Sequence, residues 1–306
     1  MPGELAVLIP SYDRSEILEL TLPRWLESRH VSRVIVVAQA SATDILSKYR
    51  LVLEKFNNDS RLVYTLKLGR LGSVRARNLL IEIALNLEDS YRYALMADDD
   101  LLPIESSLSF LVKDFDIDSE IGAVGGRVIN ARRQAVDPDF YLNTPISLAD
   151  QLTRMIGYIF LDVRNGPRYA EFLRQFYAVR RELLNKIRYD ELFDTPTGFR
   201  EESDVHQQIK RLGYKLLMDP RVVAVHLAVE HGGNRPRMTM RERMYWKAHN
   251  HTIFIFKWSE STLKRVWYTL MSTMLLTLYK PWSLPWILKG LKDGVISYNL
   301  AQWSRQ

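Results

Sequence analysis

The stretch Tyr93-Ala94-Leu95-Met96-Ala97-Asp98-Asp99-Asp100-Leu101-Leu102-Pro103 decides how the chain is to be read. An apolar run leads straight into three consecutive aspartates. Carboxylates crowded at the exit of a hydrophobic segment repel one another, so packing does not account for them. If the run is a buried strand, they emerge at its C-terminal end, where open α/β sheets bind ligands. Extended backbone alternates its side chains, which directs Asp98 and Asp100 to one side and Asp99 to the other. Two oxygen ligands on one side suit a hard divalent cation that also holds substrate phosphates. The plainer alternative is an acidic turn ahead of a helix, with Pro103 in the first helical turn.

Upstream, Leu5-Ala6-Val7-Leu8-Ile9 and Val34-Ile35-Val36-Val37 are short continuous apolar runs, the pattern of buried parallel strands. The first ends in Pro10-Ser11-Tyr12-Asp13, before a helix through Leu18, Leu22, Trp25 and Leu26. The second precedes a helix capped near Thr43 or Asp44. Leu62-Val63-Tyr64 reads as a third strand. Gly69-Arg70-Leu71-Gly72-Ser73 then opens a helix carrying Arg75, Arg77 and Asn78, whose arginines and N-terminus suit phosphate oxygens. A solvated helix face is the alternative for either arginine.

Downstream, residues 105–115 read as a helix. Residues 121–129 read as a strand whose glycines mark close backbone approach. Residues 131–170 lack a period and suggest a loop-rich lid or acceptor-side insertion. Phe176-Tyr177-Ala178-Val179 is strand-like, and Gly198-Phe199-Arg200-Glu201-Glu202-Ser203-Asp204 opens a helix that ends at Gly213. Residues 215–218 and 222–225 form two further short strands, the second ending at His226. Strands alternating with helices predict an α/β fold, a mostly parallel sheet with helices on both faces. The carboxylates, arginines, Glu201, Glu202 and His226 then converge on one sheet edge.

Composition narrows the possibilities. The 306 residues are 47% apolar and 25% charged, a folded rather than a disordered chain. Cysteine is absent, which excludes disulfides, zinc–thiolate sites and cysteine nucleophiles. A formal charge of +6 suggests an anionic partner. From Arg235 basic residues alternate with Met238, Met240, Met244, Tyr245 and Trp246, the pattern of a basic amphipathic helix suited to an anionic membrane surface. Residues 266–279 are 14 uncharged, mostly apolar positions between Lys264-Arg265 and Lys280, with Trp267, Trp282 and Trp286 near the ends. That is short of the ~20 residues that span a bilayer, so interfacial or partly inserted anchoring is expected; a buried helical subdomain is the alternative. The expected division is therefore residues 1–234 and 235–306. Met1-Pro2-Gly3-Glu4 lacks the basic region and apolar core of a signal peptide, which leads us to expect a membrane-associated protein with its catalytic part on the cytoplasmic side.

Four ordered motifs carry a resemblance over roughly residues 5–230. They are Val7-Leu8-Ile9-Pro10-Ser11-Tyr12-Asp13-Arg14, Gly72 with Ala76-Arg77-Asn78, Asp98-Asp99-Asp100, and Glu201-Glu202-Ser203-Asp204 followed by Gly213, Pro220 and His226. The chain resembles the family 2 glycosyltransferases, inverting enzymes of the GT-A fold that use nucleotide sugars. The resemblance implies that Pro10, Tyr12, Asp13, Gln39, Arg77, Asp98 and Asp99 surround a UDP- or GDP-sugar. It implies that Asp100, with Asp98 and His226, holds Mg²⁺ or Mn²⁺. Glu202, or failing it Glu201, becomes the base that deprotonates the acceptor hydroxyl.

The family's acidic pair after the second strand is replaced here by Ala38-Gln39, Asp13 stands where asparagine is common, and Glu202 where aspartate is usual. A Gln-x-x-Arg-Trp motif is missing, so transfer of a single sugar is expected, to a lipid-linked or membrane-borne glycan. No nucleic acid is expected as a partner. A nucleotidyltransferase would want a glycine-rich loop after the first strand, and a dinucleotide enzyme a G-x-G-x-x-G. A non-catalytic basic membrane- or nucleic-acid-binding protein on a decayed transferase fold fits poorly with an intact aspartate triplet and glutamate pair.

Overall fold

A computed structural model describes residues 3–87, 91–130, 167–227, 229, 232–233 and 238–303. Its sheet begins with a parallel block in which β1 (Leu5–Tyr12) lies between β2 (Val31–Ala40) and β4 (Tyr93–Met96), and β3 (Leu62–Leu68) flanks β2. Alternation of side chains gives β1, β2 and β4 two buried faces, whereas β3 at the edge is half-buried to exposed. Leu5, Val7 and Ile9 meet Leu18, Leu22 and Trp25 of α1 (Ser15–Leu26), with Tyr49 and Leu53 of α2 (Thr43–Glu54) on the same side. Ala6 and Leu8 meet Val74, Leu80 and Ile81 of α3 (Ser73–Asn86) on the other. Helices on both faces explain why these strands are apolar without interruption.

Beyond β4 the sheet becomes mixed. β8 (Tyr177–Arg180) runs antiparallel to both β4 and β6 (Ile121–Asn130), and β6 runs parallel to β9 (Lys215–His226). Two short strands, β5 (Leu101–Pro103) and β7 (Arg168–Tyr169), add antiparallel to different parts of β9. The strand order is β3-β2-β1-β4-β8-β6-β9-β5. Helix α4 (Glu105–Asp114) covers this half on the α1 side, and α5 (Glu201–Arg211) on the α3 side.

Several expectations change in detail. The two strands expected at 215–218 and 222–225 are one strand, because Asp219-Pro220 lies where the β6–β9 register shifts and no ladder donor is needed from the proline. Neither Thr43 nor Asp44 caps α2; the cap position is Ala42, without a side-chain bond, and both residues sit inside the first turn. Pro103 ends β5 rather than starting a helix. Most of the stretch expected to be a loop-rich insertion, residues 131–166, lies outside the described residues.

Helix α6 (Met240–Trp258) starts at a capping box formed by Thr239 and Glu242. Its second half is not a surface helix. Ile253 and Phe254 belong to the α3-side core, and His249 through Ile255 are buried. Helices α7 (Thr262–Tyr279) and α8 (Leu284–Trp303) pack against α6, and α8 crosses it closely because it offers glycine. A Cβ on Gly290 would lie 2.3 Å from the Tyr245 carbonyl oxygen, and one on Gly294 2.6 Å from that of His249. No helix among the described residues is long and apolar enough to cross a membrane.

Candidate active site

The aspartate triplet is a turn, not an extended segment. The Leu101 N–H donates to the Asp98 carbonyl at 3.2 Å, so the expected alternation fails and all three carboxylates line one cleft of about 240 Å³. Each is held by a basic side chain, and two of them share one. Asp98 accepts from Arg77 Nη2 at 2.7 Å. Asp99, buried, accepts from the Ser11 hydroxyl at 2.7 Å and from Arg14 Nη1 at 3.1 Å. Asp100 accepts from the same Arg14 nitrogen at 3.2 Å. Arg14 thereby offsets the repulsion between two adjacent carboxylates.

The register of β5 on β9 brings His226 to the triplet across a long sequence separation. His226 pairs with Leu101, and the Leu227 N–H donates to the Asp100 carbonyl at 2.9 Å. His226 Nε2 consequently lies 3.2 Å from Asp100 Oδ2. Two cis ligands of an octahedral cation with bonds of about 2.1 Å sit about 3.0 Å apart, so this pair is spaced to share one ion. Among the described residues no group of three or more His, Asp or Glu gathers as a metal site. A cation held here would keep positions open for water and phosphate oxygens, the habit of Mg²⁺ and its relatives. The residues therefore fit a divalent metal bound jointly with a diphosphate.

Electrostatics separates the three carboxyls. Burial lifts Asp99 to about 7, against the pull of Arg14. Burial also disfavours charge on Asp100, but the His226 bond and the charges of His226 and Arg14 outweigh it and leave Asp100 below its ordinary value. Arg77 is 3% exposed, and despite burial its neighbours Tyr189, Asp98, Glu201 and Glu202 hold it protonated well above the usual range. Among the described residues its Nε and Nη1 have no hydrogen-bond partner. Buried guanidinium donors without acceptors are costly, and a ligand oxygen in the cleft would satisfy them.

Glu201 and Glu202 part company. Glu201 is the first residue of α5, lines the cleft, and accepts from the Ser73 hydroxyl at 2.8 Å; its other oxygen is 3.9 Å from Arg77 Nε. Glu202 lies outside the cleft lining. Glu202, the first choice for the base, follows Glu201 on α5 with its side chain turned by about 100°, and its charge still acts on Arg77.

Other expected residues fall in two groups. Pro10 and Tyr12 line the cleft with the triplet, Arg77 and His226. Asp13 and Gln39 sit beside it and brace the ends of β1 and β2. The Asp13 carboxylate accepts from the Ser41 N–H at 2.8 Å, with the backbone at φ +53°, and the Asp13 N–H donates to the Gln39 carbonyl at 3.1 Å. Gln39 is fully buried and its side-chain oxygen accepts from the Leu71 N–H at 2.7 Å. Arg75 points away, paired with Glu191 at 2.8 Å on the surface.

Sequence reasoning missed Arg14, Ser73, Gly232 and Gly233, which also line the cleft. Arg14 is the last residue of the opening motif and was readable as a charge at a strand end. The glycine pair follows His226 closely and has a local cause. Gly233 donates its N–H to the Tyr12 carbonyl at 2.7 Å, and a Cβ on Gly232 would lie 2.5 Å from the Asp13 carbonyl oxygen. Both have positive φ, so only glycine closes the cleft there without strain.

The loop before Glu201 is held by α6. Arg200 is a non-glycine residue at φ +77° and is 2% exposed. Its Nε donates to His251 Nδ1 at 3.1 Å, and its guanidinium lies over Phe172, Phe199 and Phe254. Asn250 donates to the Thr195 hydroxyl at 2.7 Å and the Phe199 carbonyl at 2.9 Å. Three residues along α5 from Glu201, buried Asp204 meets Lys257 at 2.8 Å and accepts from Trp258 Nε1 at 2.7 Å.

No family model and no curated sequence matches the chain. Solved structures do. S. aureus TarS 1–349 in complex with UDP-GlcNAc aligns at a TM-score of 0.60 and 14% identity over 96% of this chain and 81% of that one. The mannosyltransferase PcManGT from Pyrobaculum calidifontis, in complex with GDP-Man and Mn²⁺, aligns at 0.58 and 19% identity over 100% and 80%. GalNAc-T7 with UDP, GalNAc and Mn²⁺ aligns at 0.54 and 13% over 84% and 52%. The fold of this chain is that of the GT-A-type glycosyltransferases.

Proposed function

We propose that the protein is a metal-dependent inverting glycosyltransferase. It moves one hexose from a UDP- or GDP-sugar to a hydroxyl of a lipid-linked or membrane-borne glycan by direct displacement. The observation that carries this reading is the meeting of the Asp100–His226 pair, the unsatisfied donors of buried Arg77, and Glu201 in one cleft at the carboxyl ends of β1 and β4. The donor class is supported by the ligands in the structures that share the fold, GDP-Man and UDP-GlcNAc.

Each residue then has a task. Asp100 and His226 would hold Mg²⁺ or Mn²⁺, which when bound supplies charge neutralisation to a departing diphosphate. Arg77, fixed by Asp98, offers its Nε and Nη1 donors to donor oxygens. Glu201 takes the proton from the acceptor hydroxyl, oriented by the bond from Ser73. A single displacement needs one such base, and Glu201 fills that place. The test is transfer and donor hydrolysis in Asp100→Ala. Both fall to background if the proposal holds, and activity equal to wild type would overturn the metal assignment.

A further inference from the structure

Helix α7 is turned inside out. Leu263, Trp267, Leu270, Met274 and Leu278 fall at steps of three and four, so they share one face, and they are 45–80% exposed. Its buried residues are Ser272 and Leu276, and the Ser272 hydroxyl donates back to the Tyr268 carbonyl. A helix that meets water on its outer side shows the reverse pattern, apolar inward and polar outward. Trp282 in the connecting turn and Trp286, Ile296, Leu300 and Trp303 of α8 are exposed as well. A helix face apolar along its whole length marks an interaction site.

Charge and aromatic placement choose the partner. Residues 261–303 contain five basic side chains and one acidic. Lys264 and Lys280 stand at the two ends of α7, and Lys289 and Lys292 are exposed among the apolar positions of α8. Lysine stems lie along apolar surface while their heads reach a polar layer. Tryptophan is the residue enriched where a hydrocarbon layer meets water, and four of the exposed residues on this face are tryptophans. A second copy of the chain would bring like charges together across the same face.

We infer that the outer face of α7 and α8 seats on a bilayer containing anionic lipid, lying in the headgroup region without crossing. No helix among the described residues has the length and hydropathy to cross. Buried apolar area supplies the affinity, and the excess of basic residues supplies a preference for negative headgroups. None of its residues lines the cleft, so this inference stands or falls independently of the transferase proposal. Because α6 carries α7 and also grips the loop before Glu201, the docked face and the cleft belong to one packed body.

The experiment is co-sedimentation of the full chain with vesicles of phosphatidylcholine alone or with phosphatidylglycerol. The chain is expected to pellet with the anionic vesicles and to stay largely in solution with the neutral ones. Leu270→Glu with Met274→Glu is expected to lower the partition coefficient about a hundredfold or more, since each buried side chain of this size contributes over a factor of ten. Leu20→Glu and Leu51→Glu, on exposed positions of α1 and α2, should leave it unchanged. Lys280→Gln, Lys289→Gln and Lys292→Gln together should erase the anionic preference. Wild-type protein that ignores both vesicles, or a double variant that pellets like wild type, overturns the inference. So does a lipid-free dimer by light scattering that the double variant dissolves, which would assign the face to a second copy. Donor binding measured on the same variants should stay at the wild-type value.

Discussion

Glu201 owes its position to two side chains of α3: Ser73 donates to one carboxylate oxygen, and Arg77 stands 3.9 Å from the other. In the proposed reaction Glu201→Gln keeps the shape and loses the base. Turnover should fall by at least about a hundredfold, the lower end of what general-base catalysis contributes, with donor affinity within about threefold. Glu202→Gln, outside the cleft lining, should retain most of its turnover. Equal losses of binding and turnover in Glu201→Gln would reassign it to holding the donor. At Asp100 the expected effect is on cation-dependent binding instead. Asp100→Asn should weaken donor affinity with Mn²⁺ at least about tenfold, or about 1.4 kcal/mol, by calorimetry. The triplet could be singled out because three adjacent carboxylates repel one another and do not pack, and His226 because it ends an apolar run. Which way each aspartate points was not, since a turn and a strand exit share the same three letters. The choice between Glu201 and Glu202 depended on where α5 begins, and helix starts are blurred by a residue or two in any sequence reading.

The element that sequence periodicity read only in part is α6. Its arginines and methionines, which read as a membrane-surface helix, occupy the largely exposed first half, and the second half, outside that reading, is core and clamps the loop before Glu201. The reading stopped short because the basic residues that drew it end at Lys247. Arg200 is the link between α6 and the loop. Three substitutions separate its two roles. Arg200→Gly keeps the left-handed turn at no steric cost and removes the guanidinium. Arg200→Lys keeps a cation but cannot reproduce the planar fork that reaches His251 and Ser203. His251→Ala removes the acceptor alone. If the guanidinium positions Glu201, all three lower kcat with KM for the donor little changed, and Arg200→Lys recovers part of the loss. A fall in thermal stability with unchanged kcat would limit Arg200 to structure. The parallel strands β1, β2 and β4 were legible throughout, being apolar on both faces. β9 was split in two by a proline whose tolerance depends on a register shift with β6, a long-range fact.

Two buried histidines tie the whole molecule's stability to pH. Burial holds His206 down at about 3 and His251 well below its ordinary value, so both are neutral when folded. The unfolded chain binds their protons below about 6.5, and the folded chain does not. Their contribution is complete above that value and is lost as pH falls towards the folded values, at about 1.4 kcal/mol per pH unit for each group. Buried Asp114, raised by burial and by neighbouring Asp219, acts in the opposite sense. It favours the folded state below its unfolded value near 3.9 and loses that advantage as pH rises through its raised folded value. Urea unfolding at pH 5 and pH 7 should show His206→Gln losing part of the acid sensitivity of wild type, and Asp114→Asn gaining stability relative to wild type at pH 7 compared with pH 5. Identical slopes in wild type and variants would contradict the burial argument.

The central claim is that one cleft binds a nucleotide sugar through a cation held by Asp100 and His226. The direct measurement is thermal unfolding of the full chain with a panel of UDP- and GDP-sugars, with and without Mn²⁺. Ligand that binds the folded state raises the midpoint. The account predicts stabilisation by at least one of these donors, dependent on Mn²⁺ and lost in Asp100→Asn. A midpoint unmoved by every donor, or moved equally without the cation and in the variant, would contradict it.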